Sequence, residues 1–350
     1  MTSDSGSNQN ERPANAAAWK EIVAPYEQPA LRRSLWQVIN SLVPYAGLWY
    51  LMYLSLGVSG WLTAALMVLA GGFLMRVFII FHDCGHGSFF KSRKANDILG
   101  CATGLLCFTP YYHWRWEHAL HHATAGDLDR RGAGDMWTLT LKEYLEASRW
   151  ERCLYRLARN PIILFVLAPA FLFVIKQRFH SAKAFGRDRN SVYWTNLAVI
   201  AMVTGLSCLF GFKTYLLLQL GVLSIAGSAG VWLFYVQHQF EGIYWERREH
   251  WDYWTAALQG SSFYKLPKIL QWFSGSIGFH HVHHLSSRIP NYNLERCHRA
   301  HPVFQSVKPI TLVPSLKSLT FRLWDEQHRK LVGFRPCREA EREHKRAARN

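Results

Sequence analysis

A chain of 350 residues has room for two ordinary soluble domains, yet 49% hydrophobic residues against 18% charged, with the apolar ones gathered in long runs, exclude a pair of globular cores. Lys and Arg number 40 against 24 Asp and Glu, a formal charge of +16; no nucleic-acid motif accompanies this excess, which reads instead as charge flanking membrane spans and meeting anionic headgroups. Seven cysteines without a C-x-x-C pair exclude a disulfide framework and put the polar parts on a reducing side.

Residues 1–18 are polar, rich in Ser, Asn and Ala, and lack the apolar core of a signal peptide, so they read as a disordered tail. An amphipathic lead-in with Trp19, Tyr26, Leu31, Arg32 and Arg33 is expected to lie along the membrane surface. Residues 1–35 thus precede a membrane domain over 36–304, and a cytosolic C-terminal segment follows over 305–350. The first apolar hairpin runs from Trp36 to Leu56 and from Trp61 to Phe81, turning at Gly57, Ser59 and Gly60. Each arm has about the twenty residues that cross a bilayer. Arg76, near the end of the second arm, can reach the interface with its long stem, and His82 stands just beyond. A second hairpin, Val192 to Phe210 and Tyr215 to Val236, turns at Gly211–Phe212–Lys213 and delivers His238 in the same way. After Pro336, a charged mix of Arg, Lys and Glu reads as a solvated or lipid-surface helix.

Three stretches carry one-sided histidine sets. His82 and His86 form H-x-x-x-H; His118, His121 and His122 form H-x-x-H-H; His280, His283 and His284 repeat that spacing. On a helix the imidazoles of each set leave one face together. Eight of them exceed what one four-coordinate metal uses and suit a two-metal site. Histidines also accumulate at wet membrane edges, which would explain one set, but not three, each beside a long apolar run.

All three sets must share one membrane face to share one site, so the chain between them crosses an even number of times. The short apolar stretches Ile98–Pro110 and Pro161–Ile175 must therefore dip in and return, or lie flat. Basic residues agree: Arg149, Arg152, Arg156 and Arg159 precede the second stretch, and Lys176, Arg178, Lys183, Arg187 and Arg189 follow it, which places both its sides in the cytosol. The expected fold is an all-α integral membrane protein. It has four transmembrane helices in two hairpins, interfacial helices, and a cytosolic helical cap carrying the histidines.

Histidine without cysteine points away from structural zinc and iron–sulfur clusters. Imidazole suits zinc, copper, iron and nickel alike, so the metal stays open on ligand type. A site of neutral nitrogens at the bilayer edge fits oxidative chemistry on lipids better than hydrolysis. Soluble di-iron bundles use two E-x-x-H repeats, and the single Glu295–His298 pair reads as chance. Cys84 leaves the helical face shared by His82 and His86 and reads as a small buried thiol.

His238 is a candidate ninth ligand through its parallel with His82; a lone interfacial histidine is otherwise usually structural. His281 falls on a different face from its neighbours and is expected to hydrogen-bond a ligand rather than to be one. Asp83, Glu117, Asp127, Asp129 and Asp135 are unranked candidates for orienting the imidazoles. His113, His180, His250, His298, His301, His328 and His344 lack a partner at ligand spacing.

His82–Asp83–Cys84–Gly85–His86–Gly87–Ser88–Phe89–Phe90 resembles the first box of the membrane fatty acyl desaturases. So do His113–Trp114–Arg115–Trp116–Glu117–His118–Ala119–Leu120–His121–His122 with Gly126–Asp127–Leu128–Asp129–Arg130–Arg131, and Phe234–Tyr235–Val236–Gln237–His238–Gln239–Phe240–Glu241. Gly260–Ser261–Ser262–Phe263–Tyr264–Lys265–Leu266–Pro267, leading into Gly278–Phe279–His280, completes the likeness, which covers about Trp36 to Phe304 and is nearest the Δ12 (omega-6) acyl desaturases.

The resemblance implies two Fe ions in a non-haem di-iron centre, held by His82, His86, His118, His121, His122, His280, His283 and His284, with His238 as a ninth ligand. It implies O2 as co-substrate, an acyl lipid as substrate, a buried apolar tunnel for the acyl chain, and a cis double bond at Δ12 of a monounsaturated chain as the product. The third box starts with His280 where the front-end desaturases fused to cytochrome b5 have Gln, and His301–Pro302 continues as Val303–Phe304 rather than as a haem motif. Electrons therefore come from a separate donor, of ferredoxin or cytochrome b5 type. His281 departs from the family pattern by doubling a histidine.

The implied location is multi-pass, in the cytoplasmic membrane if the source is bacterial, with the site facing the cytosol. An acyl hydroxylase, epoxygenase or acetylenase would share the boxes; carotenoid and alkane oxygenases are further off. A membrane metal carrier would need ionisable groups along a path inside the bilayer, and these helices carry none near their centres.

Overall fold

The computed structural model describes residues 18–132 and 134–337. The N-terminal tail through residue 17 and the charged run 338–350, for which disorder and a solvated helix are expected, lie outside the described residues.

Helices α3 (Gly60–His86), α9 (Gly186–Phe210) and α10 (Phe212–His238) are long and apolar enough to cross a membrane. Helix α2 (Leu31–Ser55), the expected first arm, has 25 residues. It falls short of that hydropathy because Trp, Tyr, Pro44 and several polar side chains interrupt its Leu and Val. Its buried face mixes polar side chains with Tyr45, Leu48, Trp49 and Met52. Ser34, Gln37, Ser41 and Ser55 are buried, while Leu35, Trp36, Ile39 and Val43 face outward. A helix in water inverts this arrangement; in lipid, polar groups turn inward to find partners. Ser55 and Thr63 join α2 to α3 by hydroxyls 2.7 Å apart.

Helix α3 is the axis on which α2 and α10 pack. At Gly71 the helices touch backbone to side chain: a Cβ there would stand 2.5 Å from Ile225 Cγ2. Gly87, at φ 71°, ends α3 in the left-handed conformation that favours glycine, one residue after His86.

Two short apolar stretches behave differently. Helix α4 (Arg93–Leu106) packs along α3 with Gly104 against Phe81, the chain reverses through Phe108 at φ 55°, and α5 (Tyr111–Thr124) returns with Trp114 against Gly85. The pair α4–α5 thus forms a helical hairpin against α3. The second stretch does not lie flat across the helix ends. Helix α7 (Arg149–Ala158) is bent by 58° against the segment Ile163–Arg178. That segment, which includes α8 (Ala168–Val174), follows α10 inward, with Phe165 on Trp232 and Pro169 and Phe173 facing Gly227. Pro161 causes the break: it lacks an N–H and disfavours helix at Asn160.

The lead-in also differs from expectation. Helix α1 (Ala18–Val23) buries Val23 in a cluster with Val282, Leu285 and Leu294. Asn293 donates to the Tyr26 carbonyl at 3.0 Å, and Ser286 to Glu27 at 2.7 Å. The sequence showed its amphipathic face but not that the cap, rather than lipid, covers it. The cap comprises α6 (Leu141–Glu146), α7, α11 (Tyr253–Gln259), α12 (Lys268–Phe273), α13 (His280–Leu285), α14 (Asn291–Ala300), α15 (Pro302–Gln305) and α16 (Leu312–Ser315). Two small sheets stitch it: β1 (Phe263–Tyr264) parallel to β2 (Pro309–Ile310), and β3 (Leu323–Asp325) antiparallel to β4 (Lys330–Val332).

Replacing Gly71 with Ala should lower the melting temperature of the detergent-solubilised protein, as overpacking by about 1–3 kcal/mol does. Gly57→Ala, whose Cβ meets nothing within 4 Å, should leave it unchanged. Equal melting temperatures for the two variants would contradict the α3–α10 contact.

Candidate metal centre

The first histidine set closes α3, the second closes α5, the third forms α13, and His238 closes α10. Four helix ends thus meet. The nine imidazoles sort into two groups that could each hold a metal ion: His82, His86, His118, His122 and His283, and His121, His238, His280 and His284. Within each group the nearest ring nitrogens all lie within 4.8 Å of one another. The groups adjoin, with His122 stacked on His284 at 4.2 Å.

Nitrogen separations describe the fit. Nε2 of His238 stands 3.1 Å from Nε2 of His121 and 3.0 Å from Nε2 of His280. Nε2 of His122 stands 3.2 Å from that of His118 and 3.1 Å from that of His283. Two ligands at right angles about a metal with bonds of about 2.1 Å would be ~3 Å apart.

Tautomers decide whether such pairs are hydrogen bonds. His121 Nδ1 faces Asp135 Oδ1 at 2.6 Å, and His238 Nδ1 faces the Gly260 carbonyl at 3.3 Å. Both oxygens only accept, so each Nδ1 carries a proton, and in a neutral ring Nε2 then presents a lone pair. Two lone pairs at 3.1 Å form no hydrogen bond; a cation between them relieves the repulsion. His86 Nε2 and His284 Nε2 are likewise buried without a partner. Burial, and then the crowding of one imidazole by the next, holds His118, His122, His283 and His284 well below the usual histidine range. All four are therefore neutral, the form that ligates.

Of the carboxylates singled out, two reach an imidazole of these groups. Asp83 Oδ1 takes His82 Nδ1 at 3.1 Å, and its Oδ2 accepts the backbone and side-chain N–H groups of Asn291 at 2.7 and 2.8 Å. Asp135 takes His121. Asp127 is bound by Arg130 at 2.6 Å, Asp129 by Arg247 at 2.6 Å, and Glu117 sits 3.7 Å from His113. Sequence proximity could not separate these, because the loop after α5 decides which side chain turns inward.

His281 does not support a ligand. Its Nε2 meets His298 Nδ1 at 3.0 Å, between Phe263 and Phe279, on the side of α13 away from both groups. Glu295 pairs with Arg299, so the Glu295–His298 triplet reaches neither group. Cys84 is a buried thiol among Ile80, Phe81, Phe89 and Tyr111. His113 accepts the Ser181 N–H at 3.0 Å, and His344 lies outside the described residues.

Gly260, Asn291 and Trp114, stacked on His118 at 4.4 Å, support the histidines without any spacing signal. A small recess of about 20 Å³ borders the four-histidine group, lined in part by Arg131, Asp135, Gln239 and Trp245.

The profile of the family described as "Fatty acid desaturase" matches residues 59–307. A "Fatty acid desaturase" of Bacillus subtilis (strain 168) is 52% identical over 313 residues, 89% of this chain and 89% of that protein. An "sn-1 acyl-lipid omega-3 desaturase (ferredoxin)" of Nostoc sp. is 27% identical over 69% of this chain and 66% of its own length. An "sn-1 oleoyl-lipid 12-desaturase" of Picosynechococcus sp. is 29% identical over 70% of this chain and 71% of its own length. Since the family profile spans well over half of the sequence and takes in all nine clustered histidines, the chain belongs to the membrane fatty acid desaturase family.

Proposed function

We propose that the two histidine groups hold two iron ions and that the protein is an O2-dependent desaturase of acyl chains carried on membrane lipids. The convergence of lone-pair-bearing imidazoles supports the metal, since it answers a repulsion that neutral histidines alone leave standing. Family membership supports iron over zinc. Bound iron would supply the oxidising power that, with O2, removes two hydrogens from adjacent methylenes. The four electrons that turn O2 into water come half from the acyl chain and half from a separate reduced donor. A ferredoxin-type carrier is favoured, because a relative's name specifies one.

The protein's own part is positional. Asp135, Asp83 and the Gly260 carbonyl fix which ring nitrogen faces inward. Burial of His121, His238, His280 and His284 keeps bulk water from that group. Residues α2–α3 and α9–α10 are taken as two transmembrane hairpins with the cap on the cytosolic side, in the cytoplasmic membrane of a bacterial cell. The broken α7–α8 element then re-enters and returns, because His122 and His283 belong to one group. For the double bond we propose the Δ12 position, on the motif likeness and on the relatives named 12-desaturases. Relatives named omega-3 desaturases stand at similar identity, so the product decides.

Purified protein should hold about two irons per chain. His238→Ala or His284→Ala should cut this to about one, and His250→Ala should cut nothing. Asp135→Asn should weaken metal binding by about 10–100-fold, with Glu117→Gln as the unaffected control. Full iron in His238→Ala would remove it from the ligand set.

Expression in a host lacking polyunsaturated lipids, with gas chromatography of total acyl chains, should reveal a new cis double bond, at Δ12 of the monounsaturated chains. A hydroxylated product would assign the hydroxylase branch instead, and a bond elsewhere would correct the position.

A further inference from the structure

Two helices supply histidines to both groups. His121 and His122 of α5 divide between them, as do His284 and His283 of α13, whereas α3 serves one group and α10 the other. The spacing of the groups is therefore the spacing of α5 from α13. Directly, these helices meet through imidazoles: His122 stacks on His284 at 4.2 Å, and the Nε2 atoms of His122 and His283 stand 3.1 Å apart. Rings aimed at a common centre do not by themselves fix the distance between the helices behind them. That distance needs a contact which is not a ligand.

One tripeptide provides it. Helices end in carbonyls that have no partner within the helix, and α13, six residues long, is too short to be stable alone. Trp251 Nε1 donates to the carbonyl of Ala125, the residue that closes α5, at 3.0 Å. Two positions on, the Tyr253 hydroxyl donates to the carbonyls of His284 and Leu285, at 2.8 and 3.1 Å. Asp252, between them, caps α11 by accepting the Thr255 N–H at 2.9 Å and the Thr255 hydroxyl at 2.7 Å, so the tripeptide is held at its own centre. Helix α11 then packs on α13, with Ala257 and Leu258 buried in one cluster with Val282 and Leu285. Trp251 and Tyr253 line, with Ala256, a narrow crevice that borders His122 and His284 together. The lead-in backs the same end: Trp19 packs on the Tyr253 ring at 5.9 Å, and Ser286, just past α13, donates to Glu27 at 2.7 Å.

We propose that Trp251 and Tyr253 are positioning residues of the metal centre, a brace between the C-terminal ends of α5 and α13 that sets the spacing of the two histidine groups. Neither belongs to either group; both act through backbone carbonyls on the helices that carry the ligands. The brace itself does not depend on what the groups hold, whereas its consequence for iron rests on the desaturase reading. Losing the Tyr253 hydroxyl frees the end of α13, so His280, His283 and His284 shift together relative to His121 and His122.

The test uses Tyr253→Phe and Trp251→Phe in the full chain. Tyr144→Phe serves as control, because its hydroxyl meets Arg156 in a separate cluster of the cap. Hydrogen exchange read by mass spectrometry reports on the brace whatever the metal content. The peptide over 280–286 should exchange about tenfold faster in Tyr253→Phe, and the end of α5 likewise in Trp251→Phe, as expected when hydrogen bonds closing a helix are lost. The control should leave both at the wild-type rate. An unchanged α13 in Tyr253→Phe, or acceleration spread evenly over the cap, overturns the brace. Mössbauer spectra of the reduced, iron-loaded protein then read its consequence. Both variants should show broadened or shifted doublets at wild-type iron content, while the control keeps wild-type lines even where its melting temperature falls. Wild-type lines with iron merely reduced would mean that the two residues stabilise without positioning, and overturns the assignment. Wild type that takes up no iron would count against the metal reading, and the exchange rates alone would then decide the brace.

Discussion

Buried imidazoles aimed at one another are the constraint around which this protein is arranged. His121 and His238 each direct Nδ1 at an oxygen and face each other through Nε2 across 3.1 Å. Left alone, such nitrogens are desolvated without a partner, a cost of roughly 1–3 kcal/mol each. A shared cation converts that cost into ligand bonds, and metal binding then contributes to folding. Nothing in either group but histidine supplies the donors, so the charge of a bound metal would stay largely uncompensated by the ligands themselves. Asp83 and Asp135 bring negative charge only through the far nitrogens of His82 and His121.

Bringing four helix ends to one place requires that they stop at matched heights. Gly87 stops α3 one residue past His86, and α10 runs 27 residues to end on His238. The α4–α5 return then places His118, His121 and His122 between them. Buried polar side chains in α2, with Leu35, Trp36, Ile39 and Val43 turned outward, fit a helix beside an apolar environment.

Much of this was legible from residue order alone. Helical spacing is set by local geometry, so the one-sided sets at His82, His118 and His280 could be placed on faces without knowing the fold. Apolar run lengths are a property of composition, which is why the long apolar helices α3, α9 and α10 came through. The parallel ends of the two hairpins also singled out His238, which now stands among the four-histidine group.

What residue order left undecided was every question of which partner lies across space. Spacing offered five carboxylates near the histidines, and only the packing of α14 and the loop after α5 selected Asp83 and Asp135. His281 shares a box with three clustered histidines yet faces His298, because a step of about 100° along α13 carries it to the other side. The lead-in helix covers the cap rather than lying free on the bilayer, since its amphipathic face fits either surface equally well. Local chemistry therefore determined the histidine faces and the lengths that cross the membrane. The tertiary structure alone decided how nine imidazoles divide into two groups, because that division depends on contacts between residues as far apart in sequence as His82 and His283.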